Sequence, residues 1–217
     1  MAQTRTRNPR PSAKKAKKSR APFVIIGGAI VIALVIAIVA TRNSGKGDTT
    51  LAQTQPVTVS GNPLPMLPDS GADAALGSAV PELKGAAFDG SAINIANDGH
   101  PKIVIFVAHW CPHCQAEVPV ITKWIADNGA PAGVDVYAVS TGVSKDLPNY
   151  PPSSWLAKEK WPLPTLADSN DSVAAQAFGL SAYPYFVVVN ASGKLMYRAT
   201  GELETTRLAQ LVTLAES

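Results

Sequence analysis

Residues 102–119 read KIVIFVAHWCPHCQAEVP, an apolar run that passes within three residues into a Cys-x-x-Cys pair. Lys102–Val107 is short, apolar and rich in β-branched residues, the pattern of a strand buried on both faces. Beyond Pro112, Val118, Ile121 and Ile125 recur at helical spacing and the pattern stops before Gly129. A helix is therefore expected over Pro112–Asn128. Cys111 falls at its cap, with a proline in the first turn whose fixed φ suits helix entry. The unpaired backbone N–H groups and positive dipole at that end face the Cys111 sulfur and favour thiolate over thiol. Cys114, three residues on, shares its helical face.

These two are the only cysteines in 217 residues. A disulfide between them would close so short a loop that it adds little stability, so the pair reads as chemistry rather than scaffold. The thiolate is the nucleophile of disulfide exchange. Cys111 is expected to be the exposed nucleophile, and Cys114 the resolving thiol that closes the intramolecular disulfide and releases a mixed-disulfide partner. His113 lies between them near the helix start, where a donor or imidazolium would stabilise the Cys111 thiolate and make the disulfide more oxidising.

Working outward, Val134–Ser140 is a second strand, Ser153–Lys160 a helix and Thr165–Ala167 a minimal strand. Asp171 can cap a helix running to Phe178, closed by Gly179. Tyr185–Val189 and Lys194–Ala199 form a hairpin across Asn190–Gly193, and Glu202–Ala215 is a closing amphipathic helix. A β–α–β unit followed by a hairpin and a helix makes an α/β domain with a mixed central sheet flanked by helices. Apolar residues make up 46% of the chain, enough for a core without disulfide staples.

The net charge of +3 averages two unlike regions. Residues 1–20 hold eight basic side chains and no acidic one, whereas from Asp48 onward nine Lys or Arg stand against sixteen Asp or Glu, a net −7. The basic block is thus a tail and not a nucleic-acid-binding domain. Phe23–Ala40 runs eighteen residues without a charge, about 27 Å of helix and close to the thickness of a bilayer's hydrocarbon core. It exceeds the apolar core of a cleaved signal peptide, and Ile38 stands where a cleavage site prefers a small residue. An uncleaved transmembrane helix is expected over 23–40. Residues 1–22 would then be a basic tail on the cytoplasmic side, because positive charge stays inside. Residues 41–79, rich in Gly, Ser, Thr, Pro and Asp, read as an extracytoplasmic linker, and 80–217 as the folded domain. That domain faces the compartment where thiols can be oxidised.

The strand followed by Trp110-Cys111-Pro112-His113-Cys114, with Pro119 five residues past the second cysteine, resembles the active-site helix of the thioredoxin superfamily. Cys114-Gln115-Ala116-Glu117-Val118-Pro119 resembles its TlpA/ResA branch of membrane-anchored bacterial oxidoreductases, and the Cys-Pro-His-Cys centre is similar to that of DsbA. The resemblance covers residues 80–217 and implies a thioredoxin-like fold with a redox-active Cys111–Cys114 disulfide, no cofactor and no metal. It implies that Glu117 relays a proton at Cys114, the competing reading being a solvated helix carboxylate. It makes Pro184 a cis-proline facing the cysteines, with Tyr183 before it and Trp110 beside it meeting the substrate. The implied partners are exported proteins carrying thiols or disulfides and a membrane electron-transfer or quinone-linked redox protein. The TlpA/ResA likeness points to a reductase and the DsbA likeness to an oxidase, so direction stays open. Ile105 stands where such proteins often bury an acid in the strand, which leaves water or Glu117 to move protons. His109 and His100 read as structural or exposed, since no third ligand is near. A copper-binding module using Cys111, Cys114 and a histidine is the alternative, because thiolates suit Cu(I), although such modules usually space their cysteines one residue further apart. A peroxide-reducing site would need a lone Cys with Thr and Arg close by, and none is apparent.

Overall fold

The computed structural model describes residues 51–217. The basic tail, the apolar span 23–40 and the first part of the expected linker lie outside them. Among the described residues no helix is long and apolar enough to cross a membrane.

The central sheet holds five strands in the order β6-β5-β4-β7-β8. They are β4 (Lys102–Val107), β5 (Asp135–Ser140), β6 (Thr165–Ala167), β7 (Tyr185–Val189) and β8 (Leu195–Thr200), and they follow a small antiparallel sheet of β1 (Thr58–Ser60), β2 (Glu82–Ala86) and β3 (Ala92–Ile95). β4 pairs parallel with β5 and antiparallel with β7, so the sheet is mixed. All six residues of β4 are buried, which is why its sequence is continuously apolar after Lys102. The buried Lys102 pairs with Asp98 and donates to the His100 carbonyl.

Successive β4 side chains point to opposite faces of the sheet. Ile103, Ile105 and Val107 pack with α1 (Pro112–Asn128) and α4 (Thr205–Ala215), through Val118, Ile121, Leu208 and Leu211. Val104 and Phe106 pack on the other face with Phe178, Tyr185 and Leu195. The two remaining helices are α2 (Pro152–Lys158) and α3 (Val173–Ala177). α3 is shorter than the sequence suggests and Asp171 does not cap it. Buried Asp168 accepts the Ala174 and Ala175 N–H groups at 2.9 and 3.2 Å, and Ser169 Oγ accepts Val173 N–H at 3.0 Å. α4 starts at Thr205 rather than Glu202, because residues 202 and 203 are engaged at the cysteine site.

The stretch expected to be linker differs most. From residue 51 it packs on the domain, adds strand β1 to β2, and buries Leu64 and Ala75 at 5% and 2% exposure. Its backbone is satisfied by the domain: Leu64 N–H donates to Ala177 O at 2.8 Å, Leu67 to Gly179 O at 2.9 Å and Gly77 to Leu195 O at 2.8 Å. The guanidinium of Arg198, its side chain wholly buried, grips Asp73 through two N–H donors at 2.6 and 2.8 Å and donates to Pro65 O at 2.8 Å. A bidentate ion pair of this kind holds a loop that lacks its own periodicity. Gly179 sits at φ +67, and a β-carbon there would stand 2.1 Å from Pro65 O, so the arm can approach only because this residue is glycine.

Breaking a buried pair from one side costs about 3 kcal/mol or more, because the remaining charge is stranded. Arg198→Met should lower unfolding stability in urea by that amount and speed proteolysis within 61–79. The Arg198 hydrogen bond holds the Asp73 carboxyl below its usual range. Its stabilisation is therefore present above the ordinary carboxylate pKa and is lost as pH falls through the lowered value. R198M should flatten that acid limb of the stability profile.

Candidate active site

The end of β4 delivers Ala108, His109 and Trp110 to the C-terminal edge of the sheet, and Cys111 turns the chain into α1. Cys111 is extended at φ −74 and ψ 122, with Pro112 behind it, and its carbonyl accepts the first helical bond from Gln115 at 3.0 Å. No side chain caps the helix. The two cysteines are thiols in this structure. Cys111 is less open than expected, at 5% exposure, with its Sγ 3.8 Å from the Tyr183 carbonyl. Cys114 is wholly buried and its Sγ accepts the Ala108 N–H at 3.4 Å. Burial pushes the Cys114 thiol well above its ordinary range, partly offset by that N–H.

The carbonyl that meets Cys111 Sγ belongs to the residue before Pro184, and the Tyr183–Pro184 bond is cis. The Tyr183 ring meets Trp110 edge to face, with centroids 5.6 Å apart at 85°. Trp110 Nε1 donates to Gly142 O at 2.7 Å. Gly142 lies at φ +62, and a β-carbon on it would stand 2.8 Å from the Tyr183 hydroxyl, so the two aromatic rings close around a glycine. Burial raises the Tyr183 phenol.

Glu117 is 1% exposed and so is not a solvated helix carboxylate. One oxygen accepts Leu203 N–H at 3.0 Å, while Oε1 has no partner. Burial pushes this carboxyl up to about 7, opposed by the Leu203 N–H and aided by the Glu202 charge. It sits in the same helix as Cys114 and three residues beyond it, which is one turn along the same face. A carboxyl poised near neutrality can hold or release a proton at physiological pH. His113 is exposed, and its Nδ1 lies 2.7 Å from Glu202 Oε1, so its ring is held by a carboxylate from the end of β8. Gly201 N–H donates to Pro184 O at 3.0 Å. The segment 201–203 thus touches Pro184, His113 and Glu117 together.

Trp110, Cys111, Cys114, Tyr183 and Pro184 therefore converge, with Glu117 beneath them and His113 and Pro112 on the rim. Gly142, Glu202 and Leu203 join the site without any signal in the sequence, because each arrives through a long-range loop. His109, read as structural, is fully buried and bound to a loop. Among the described residues, no group of three or more His, Cys, Asp or Glu side chains converges as a metal site.

The Redoxin family model matches residues 75–214. The chain belongs to the Redoxin family. It is 30% identical over 102 residues to a thiol:disulfide interchange protein DsbE homolog of Paracoccus denitrificans, covering 47% of this chain and 51% of the relative. It is 29% identical over 128 residues to the soluble secreted antigen MPT53 of Mycobacterium tuberculosis, covering 56% and 64%. The chain thus spans between about half and just under two thirds of the length of these curated relatives. Among solved structures, a thioredoxin-family thiol:disulfide interchange protein of Chlorobium tepidum aligns with TM-score 0.53 at 23% identity, covering 66% of this chain and 99% of that one. The Redoxin-family domain thus has the thioredoxin-like fold.

In this Redoxin domain the raised Glu117 carboxyl has a stability signature. A folded-state pKa above the ordinary value means the folded protein binds the extra proton between about pH 4.5 and 7, so stability falls as pH rises through that window. Glu117→Gln removes the effect. Relative to the wild type, E117Q should gain unfolding free energy between pH 4 and pH 8, by roughly 3 kcal/mol at most. Parallel urea titrations of both proteins at the two pH values check this.

Proposed function

We propose that this Redoxin-family chain is an extracytoplasmic thiol–disulfide oxidoreductase that exchanges disulfides with exported proteins through Cys111 and Cys114. The observation that carries the reading is the inequality of the two thiols. Cys111 stands at the helix start beside the Tyr183 carbonyl, whereas Cys114 is sealed at 0% exposure one helical turn from the buried Glu117. An attacking sulfur must reach the partner, and a resolving sulfur needs to reach only the first.

In the reducing direction the Cys111 thiolate attacks one sulfur of a partner disulfide. A Cys111–partner disulfide forms, the partner S–S bond breaks, and the partner's other sulfur leaves as thiolate. Cys114 then loses its proton and attacks Cys111, forming the Cys111–Cys114 disulfide and expelling the second partner thiolate. The pair is oxidised by two electrons and the partner is reduced by two. The oxidising direction is the same sequence reversed. Burial opposes deprotonation of Cys114, and Glu117 is the nearby acceptor whose own pKa suits the transfer. Trp110, Tyr183 and Pro184 form the face that the partner polypeptide meets, with the Tyr183 carbonyl available to its backbone.

The span 23–40 tethers the domain to the membrane with the cysteines outside, and a membrane redox partner of electron-transfer or quinone-linked type resets the pair. The names of the relatives, an interchange protein and a secreted antigen, support an envelope location for this chain.

Cys111→Ser should abolish exchange with a disulfide-bonded polypeptide, and Cys114→Ser should accumulate mixed disulfides visible as adducts on a non-reducing gel. Full turnover by both variants would sink the reading. Glu117→Gln should slow resolution of the mixed disulfide by about 10²-fold, the usual worth of a positioned proton acceptor, while the initial attack by Cys111 proceeds at its wild-type rate in a stopped-flow trace.

A further inference from the structure

His109 is fully buried between Val107 and the cysteines, and its polar atoms face one irregular segment, 142–151, between β5 and α2. Its Nδ1 lies 2.6 Å from Pro148 O, and its Nε2 accepts Ser144 N–H at 3.2 Å. Its carbonyl accepts Asn149 Nδ2 at 3.2 Å, beside a bond from Gln115 Nε2 at 3.1 Å. The Tyr150 ring meets the imidazole edge on, with centroids 6.0 Å apart. A proline carbonyl can only accept and a backbone N–H can only donate, so the ring is the neutral tautomer with hydrogen on Nδ1. Among the described residues, the hydrogen bonds that residues 143–150 make outside their own segment all end on His109. The same segment begins at Gly142, whose carbonyl holds the Trp110 indole. It also presents Leu147 and Tyr150, 41% and 37% exposed, on the outside.

We infer that His109 is a positioning residue: it clasps segment 142–151 as a strap beside the cysteine pair, and through Gly142 the strap sets the Trp110 ring that meets the partner polypeptide. This rests on the exchange reaction proposed above. A buried imidazole suits the task because one planar ring supplies a donor and an acceptor on opposite edges, spanning Ser144 and Pro148 at once. Gly142, at the start of the strap, is also tied by its N–H to Ser172 Oγ at 3.3 Å. Residues 143–150, by contrast, have no regular structure and, among the described residues, no hydrogen bond outside the segment to replace those on His109. Loss of the clasp leaves the sulfurs in place and loosens the wall that receives the substrate chain.

The test uses the full chain in detergent, labelled with 5-fluorotryptophan, the Trp110 resonance being assigned by its loss in Trp110→Phe. His109→Phe keeps a planar aromatic ring, slightly larger than imidazole, and removes both ring nitrogens. The Trp110 resonance should shift and broaden, and KM for a disulfide-bonded polypeptide should rise about tenfold, the worth of one to two neutral hydrogen bonds, with kcat within about twofold. His109→Asn, which keeps a donor near the Nδ1 position, should recover part of both signals. Asn149→Gly, which suits the positive φ of 60° at that exposed residue, loosens the strap without touching the core. It should move both readouts in the same direction by less, and it decides the matter should H109F not fold. An unchanged KM in these variants overturns the inference, as does a fall in kcat at constant KM. Should the wild-type chain turn over no polypeptide disulfide, the exchange reading fails, and the Trp110 resonance in H109F and N149G still decides whether the strap exists.

Discussion

Burial of β4 on both faces is the constraint from which the rest follows. A strand with all six residues inside must be covered by layers on each side, and its two sets of alternating side chains define those layers. Its register against β5 and β7 fixes where it stops: Val107 lies opposite Ser140, and Phe106 opposite Tyr185. The cysteine turn that follows is thereby set beside Tyr183–Pro184 at the start of β7 and beside Thr141–Gly142 at the end of β5. The cysteine turn sits where β4 and β5 end and β7 begins, which is the edge where an open α/β sheet usually carries a site.

The same burial makes the two sulfurs unequal. Cys111 belongs to the turn and faces the Tyr183 carbonyl just before β7, whereas Cys114 belongs to α1 and faces inward, onto the layer that covers β4. Glu117 is carried inward by the same helix face. A carboxyl there survives because one oxygen takes the Leu203 N–H, and its remaining desolvation raises its pKa. The unpartnered Oε1 is costly for stability, because a buried carboxylate oxygen without a donor keeps its desolvation penalty.

What could be read from sequence follows the length and regularity of the elements. β4, β5, β6, β7 and α1 were legible because apolar runs or helical spacing mark them, and the pairing of β7 with β8 because Asn190–Gly193 is turn chemistry. The arm 51–79 was illegible because it is held by contacts with distant partners. Asp73 is 125 residues from Arg198, and no local pattern announces a pairing at that range. The hairpin of β2 and β3 was missed because Glu82–Ala86 is broken by Lys84 and Gly85 and lacks clean alternation. At the site, the cysteines, Trp110 and Pro184 were visible as a motif. The burial of Glu117 and the lower exposure of Cys111 were not, since both depend on what the segments around 183 and 203 do.

The placement of His113 bears on the conflict between its oxidant-like motif and the reductase-like context of Glu117. A histidine between two cysteines makes a disulfide more oxidising to the extent that its positive end serves the thiolate. Here the ring nitrogen is joined to Glu202, and both partners are about half or more exposed. An imidazolium paired with a carboxylate presents a nearly neutral couple to its surroundings, and solvent screens what remains. The motif Cys-Pro-His-Cys therefore does not carry its electrostatics with it from one protein to another. The carboxylate of residue 202, just past the end of β8, is the group that meets the histidine ring, and it lies 89 positions from that histidine in the sequence.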